Sequence, residues 1–324
     1  MALGLGHCLT ANIIYVPDFM AMDFDGTNDY GLGGISGQDP ANGTIKPISP
    51  SGLTIAAWVK LDIDSDSYDD TGTYSIAGAN RNGGYMLNYA NKSFSFVMKL
   101  KDGDGNTVNT SPISKRQVMR TPTSGTDYAS YLYKSDNWHF VVGTWDGDRV
   151  KQIYVDGDRS QAGTAAEDGS SGVTQFGSEP ESSDSKKTES AASPAGTYVI
   201  GWDSTNDREE VDFVVGATSS FDSGTNITTA SGAFFPGQMG DIAVWDVELS
   251  QVEIKALYGL HRPIDMSTTQ ASNLQGYWKA EHGTTTTVTE KTGKVGDDLT
   301  LINGVDHSSI VIPTLDVTGY AGYR

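Results

Sequence analysis

Glu210 and Asp212, in the stretch EVDFVV, stand two residues apart and so fall on one face of a strand, as the paired carboxylates of glycoside hydrolysis do. Such pairs read E-x-D-x-E or E-x-D-x-x-E, one acid serving as nucleophile and the other as acid/base. Val214 and Val215 fill both places where the second glutamate would fall, so the general acid is missing. Nucleophilic catalysis fares no better: the five histidines are His7, His139, His261, His282 and His307, and no G-x-S-x-G elbow surrounds any serine. No two histidines have zinc-ligand spacing, and Cys8 is the single cysteine. The acidic stretches DIDSDSYDD, 62 to 70, and DGDGNTVNT, 102 to 110, look at first like calcium loops. Their sixth position is Ser67 or Thr107 instead of glycine, and their twelfth is Thr73 or Ile113 instead of glutamate. They read as polar turns.

Recognition without bond breaking has better candidates. A sugar needs an aromatic platform for its apolar face and planar amides or carboxylates for its hydroxyls, presented at loops or strand ends. Asn80, Asn82 and Tyr85 in GANRNGGYML, and Trp202, Asp203, Asn206 and Asp207 in GWDSTND, have that chemistry. Turns use the same Asn and Asp, and a core would accept Trp202 equally well.

The elements that must position these groups are strands. The 324 residues contain 37% apolar and 10% aromatic residues with 38 glycines, a composition suited to short strands joined by tight turns. A single sandwich with appendages accounts for the length, since all-β domains of about 200–250 residues are common. Twenty-two basic against 41 acidic residues give a formal charge of −19, which repels phosphate backbones and anionic lipid. Nucleic acid and membrane insertion are therefore not expected. One cysteine allows no intrachain disulfide, and the opening MALGLGHCLTANIIYV has no positively charged leader. Synthesis in a reducing cytoplasm without a Sec signal is the expectation.

Strand period is clearest in LTIAAWVKLD, where Leu53, Ile55, Ala57, Val59 and Leu61 share one face and Thr54, Ala56, Trp58 and Lys60 the other. Two runs, 138 to 145 and 149 to 155, flank Asp146-Gly147-Asp148 as a hairpin. Further strands are expected at 73 to 79, 84 to 89, 93 to 100, 197 to 203 and in VDFVVGA. Near 250–258 a short helix is expected, with Ser250 and Glu253 as a capping box, Gly259 as its left-handed end, and Val252, Ile254, Leu257 and Tyr258 packing it on a sheet. Segments 103–135 and 157–195 read as insertions, the second a Gly/Ser/Ala/Glu tract expected to form a long mobile or partner-ordered loop. Residues 1–21 read as an arm, either packed over the sandwich or docked on another subunit; 22–312 as the domain; and 313–324 as a tail.

The stretches FDGTNDY, LTIAAWVK, WHFVVGTWDGDRVKQIYVDG and FFPGQMGDIAVWDVELSQVEIKALYG resemble the opening, a strand, the central hairpin and the closing strand-helix of laminin-G-like domains. Residues 273–305 are similar to a segment that often begins such domains, and here would complete the same sandwich or start a second unit. The resemblance implies an all-β, concanavalin A-like two-sheet antiparallel jelly-roll sandwich with one short helix. It also implies a Ca2+ at the rim, for which Asp25, Asn28 and Asp241 are the matching positions; the competing reading makes them turn residues bonded to their own backbone.

The opening MALGLG and FDGTNDY are similar to marine phage structural proteins. That likeness implies a non-catalytic virion structural protein, a capsid decoration or fibre, made in the host cytoplasm and displayed on the virion surface. Its arm would bind other virion proteins, and its exposed lectin-like jelly roll would serve subunit contacts in a homo-oligomer and host-glycan adhesion. The alternative is a secreted or cell-surface carbohydrate-binding module of a bacterium.

Overall fold

The computed structural model describes residues 19–33, 52–62, 72–79, 84–90, 93–98, 100–101, 107–108, 113–116, 138–148, 150–157, 186–188, 199–200, 213–222, 227–259, 265–280, 286–293 and 298–310. In chain order the first strands are β1 (Phe19–Asp25), β2 (Tyr30–Gly33), β3 (Leu53–Leu61), β4 (Thr73–Ala79), β5 (Tyr85–Ala90), β6 (Ser93–Met98) and β7 (Leu100–Lys101). There follow β8 (Thr107–Val108), β9 (Ile113–Arg116), β10 (His139–Trp145), β11 (Val150–Val155), β12 (Lys186–Thr188), β13 (Val199–Ile200) and β14 (Phe213–Val215). Next come β15 (Thr218–Asp222), β16 (Ile227–Gly232), β17 (Pro236–Trp245) and helix α1 (Gln251–Tyr258). A 3-10 turn at Met266–Thr268 leads to β18 (Leu274–Trp278), β19 (Thr287–Val288), β20 (Leu299–Ile302) and β21 (Asp306–Ile310).

Two antiparallel sheets face each other as a jelly-roll sandwich. The first runs β12-β11-β10-β3-β17-β1-β21, with β18 also paired to β17; the second runs β19-β20-β2-β14-β4-β5-β6-β9. The alternation of β3 explains the layering. Ile55, Ala57 and Val59 point into the main core with Phe96, Phe213 and Trp278, while Ala56 and Trp58 point outward into a second apolar layer with Phe140, Trp245 and Tyr277. Ile254 and Leu257 of α1 cover that outer layer, so β3 is buried on both faces. Thr54 fastens the helix approach to the sheet, accepting from the Leu249 N–H at 2.9 Å and donating to the Val247 carbonyl at 2.8 Å.

The helix has its expected caps. Ser250 and Glu253 close the capping box, and Gly259 adopts φ 51°. Val252 does not pack on the sheet: it is 78% exposed. At 100° per residue it lies about 200° from the buried Ile254, whereas the half-buried Tyr258 stacks on Trp58 at 5.8 Å.

Three boundaries differ from expectation. The first sheet already begins at Phe19, so Phe19, Met20 and Ala21 of the supposed arm are paired with β21. Each insertion contributes a strand: Ile113–Arg116 extends the second sheet beside β6, and Lys186–Thr188 extends the first beside β11. Pieces this short are too brief to show a period. The described strands within 273–305 agree with one of the two expectations, completion of the same sandwich, since β18 pairs with β17 while β20 pairs with β2.

Candidate functional site

Ala79, the last residue of β4, is the register partner of both Tyr85 and Phe213, and Phe213 is in turn the partner of Gly33. The ends of β4, β5, β14 and β2 are therefore level at one rim of the second sheet, each about 4.8 Å from the next. The links that carry the sugar candidates spring from these ends. Asn80 and Asn82 follow Ala79 directly, and Trp202, Asp203, Asn206 and Asp207 lie between β13 and Phe213. These six lie outside the described residues. Their anchors converge nonetheless: β6 continues into β7, whose Leu100 pairs with Ile200, and both of these side chains are buried in the main core.

Tyr85 has to be removed from the candidate set. It is fully buried, on the inward face shared with its partners Ala79 and Met98, and burial pushes its phenol well above the usual range. A ring enclosed on both faces offers no platform to a sugar.

The matching positions for Ca2+ are not brought together. Asp25 Oδ1 accepts from the N–H groups of Thr27 (2.7 Å), Asn28 (3.1 Å) and Asp29 (3.3 Å), while Asp29 Oδ2 accepts from the Asp25 N–H at 3.1 Å. This closes the turn on its own backbone at the Tyr30 end of β2, opposite the rim at Gly33. Asn28 is exposed, and its carbonyl accepts from Asn303 Nδ2 at 2.8 Å. Asp25 pairs with Pro236, which leaves Asp241 five residues further along β17, about 16 Å at 3.3 Å per residue. There Asp241 is buried and accepts from the Tyr277 hydroxyl at 2.7 Å. Burial, then the Asp241 charge, drives the Tyr277 phenol far above its usual value. Calcium needs six to eight oxygens around one point, so these three residues do not fit it as a set. Among the described residues no group of three His, Cys, Asp or Glu could hold a metal.

The turn has a pH signature. Backbone N–H groups of Thr27 and Asn28 hold the Asp25 carboxyl below its ordinary 3.8. A depressed folded value means that the contribution is complete above 3.8 and is lost as pH falls through the folded value. Asp25→Asn should therefore lower the urea midpoint at neutral pH, with the gap to the parent closing below 3.8; a constant gap would contradict the assignment.

Other described carboxylates are used in the same structural way, a pattern that sequence reading missed because each partner lies in a turn or on another strand. Glu290 accepts from the N–H groups of Tyr277 (3.0 Å), Thr292 (2.8 Å) and Gly293 (2.7 Å). Asp156 accepts from Phe140 N at 2.9 Å and pairs with His139 Nδ1 at 2.8 Å, which places His139 in a buried clamp against Phe94. Val214 and Val215, at the positions a second catalytic acid would need, are fully buried.

Residues 36–190 match a laminin-G family model described as the concanavalin A-like lectin/glucanases superfamily. No curated protein matches the chain. Among solved structures, it is similar to a putative carbohydrate binding protein from Bacteroides ovatus, with TM-score 0.48 and 15% identity, over 90% of this chain and 60% of that one. It is also similar to a heptameric SAP-like pentraxin from Limulus polyphemus, with TM-score 0.40 and 12% identity, over 92% of this chain and 98% of that one. A third likeness is to the binding domain of botulinum neurotoxin DC in complex with SialylT, with TM-score 0.38 and 10% identity, over 76% of this chain and 46% of that one. These likenesses concern the fold. The chain spans 60% of the length of the first of these proteins.

Proposed function

We propose, taking the laminin-G-like match of residues 36–190 as premise, that this chain is a non-catalytic carbohydrate-binding jelly roll displayed on a virion as a capsid decoration or fibre component. The observation that carries the reading is that strand ends flanking two polar stretches of sequence, 80–83 and 201–212, lie level at one rim through the shared register partner Ala79. The amides, carboxylates and Trp202 that those stretches carry are the groups a sugar requires. The buried valines of β14 and the turn-bound carboxylates support recognition over cleavage. A sandwich held by packing and strand pairing, in a chain with one cysteine, suits assembly in a reducing cytoplasm.

A glycan array probed with the full chain tests this. Binding is expected, and Trp202→Ala and Asn82→Ala should each weaken it by about tenfold, the loss of roughly one contact worth 1.4 kcal/mol, without changing the thermal midpoint. No binding to any glycan, or release of reducing ends, would overturn it. Removing residues 1–18, which stops short of β1, should leave a folded chain that no longer enters particles. Glycan binding without particle incorporation would instead favour the bacterial surface module.

A further inference from the structure

Four side chains form one row across the outer face of the first sheet. Asp23 of β1 is the register partner of Gln238 of β17, and Gln238 is that of Lys60 of β3. Continuing the His139↔Val59 pairing by one step sets Trp138 opposite Lys60. Their strand neighbours Met22, Phe24, Met239, Val59 and Leu61 point into the main core, so by alternation the row points outward, where Trp138 packs against the second apolar layer. Adjacent members stand about 4.8 Å apart, and each of the four is partly exposed.

Two donors on this face lack an acceptor. The Lys60 ammonium forms no ion pair or hydrogen bond among the described residues, in a chain whose formal charge is −19. Two residues back along the same face, the Trp58 indole N–H is enclosed and likewise has no partner. Buried donors are nearly always satisfied, so both point to the same shortage. Gln238, by contrast, donates to Asp23 Oδ2 at 3.5 Å. What the row lacks is an anion beside Lys60, and what it offers next to that cation is an indole ring.

We propose that this row is a second saccharide site, one that takes a sugar carrying a carboxylate: the acid group on Lys60, the apolar ring face on Trp138, and hydroxyls on Gln238 and Asp23. Asp23 stands two strands from Lys60, about 9.6 Å away, so ordinary salt screens it from the bound acid and its oxygens serve hydroxyls. The row lies on the other sheet from the rim of β4 and β14. It therefore stands or falls separately from the rim site.

The test is a titration of the full chain, followed by tryptophan fluorescence and calorimetry, with sialyllactose and trigalacturonate, each against its neutral counterpart lactose or trigalactose. At least one acidic sugar should bind, shift the tryptophan emission and exceed its neutral counterpart in affinity by about tenfold or more, with raised salt narrowing the gap. Lys60→Gln should erase that preference at an unchanged thermal midpoint, Lys60→Arg should keep it, and Trp202→Ala at the rim should leave it intact. Failure of both acidic sugars to bind, equal affinity for the neutral ones, or a preference that survives Lys60→Gln would overturn the proposal. So would a preference lost in Trp202→Ala, which would assign the acidic sugar to the rim.

Discussion

Removal of residues 273–324 is expected to abolish folding altogether, although the truncated chain retains the strand-helix motif that closes the recognisable pattern. The loss reaches both sheets. β17 would lose β18, β2 would lose β20 and β1 would lose β21. Trp278, Tyr277, Leu274, Leu299 and Leu301 are all buried, and Trp278 reaches from the first sheet to stack on Phe213 of the second at 4.9 Å and 13°. At about 1.5–3 kcal/mol for each large apolar side chain, their burial rivals the roughly 5–15 kcal/mol that holds a whole domain. Far-UV circular dichroism and a urea titration of the truncated chain should show no cooperative transition. A soluble fragment with a sharp melt would mean that 273–305 is an appendage.

Gly237→Ala is expected to be the most damaging single-methyl change, and Gly232→Ala supplies its internal control. Both glycines have backbones that L side chains rarely adopt, with φ of 130° and 137°. A methyl at Gly232 meets nothing within 4 Å, so only backbone strain is felt, about 1–3 kcal/mol. At Gly237 the same methyl would run into the Lys60 carbonyl oxygen and lie 2.7 Å from the Asp62 nitrogen. Those atoms belong to the backbone of β3 and its exit, which pairs with β17 at Gly237↔Leu61, so they cannot turn aside. Overpacking adds about 1–3 kcal/mol or more to the strain. Chemical denaturation of both variants should show Gly237→Ala losing at least twice as much stability as Gly232→Ala; equal losses would show that β3 yields.

Much of the frame could be read from neighbouring residues. The hairpin runs His139–Trp145 and Val150–Val155, and Asp146 Oδ1 accepts from the N–H groups of Asp148 and Val150 at 2.8 and 2.9 Å to close its turn. Alternation in 53–61, that turn and the helix caps are interactions within a few positions, so composition and period disclose them. The candidate site was legible only as residue types. YMLNYA is apolar at both phases, with Met86 as buried as Tyr85, and periodicity could not tell which face Tyr85 would take.

The sequence by itself determined the alternating strand 53–61, the hairpin and its turn, both ends of the helix and the absence of a second carboxylate after Asp212, because each depends on side chains within one or two turns of chain. Tertiary structure alone decided that Ala79 brings the ends of β5 and β14, far apart in the chain, to one rim, and that Asp25 and Asp241 stay five register positions apart. Those outcomes follow from strand order and register, which the packing of two whole sheets selects and no local stretch of chain encodes.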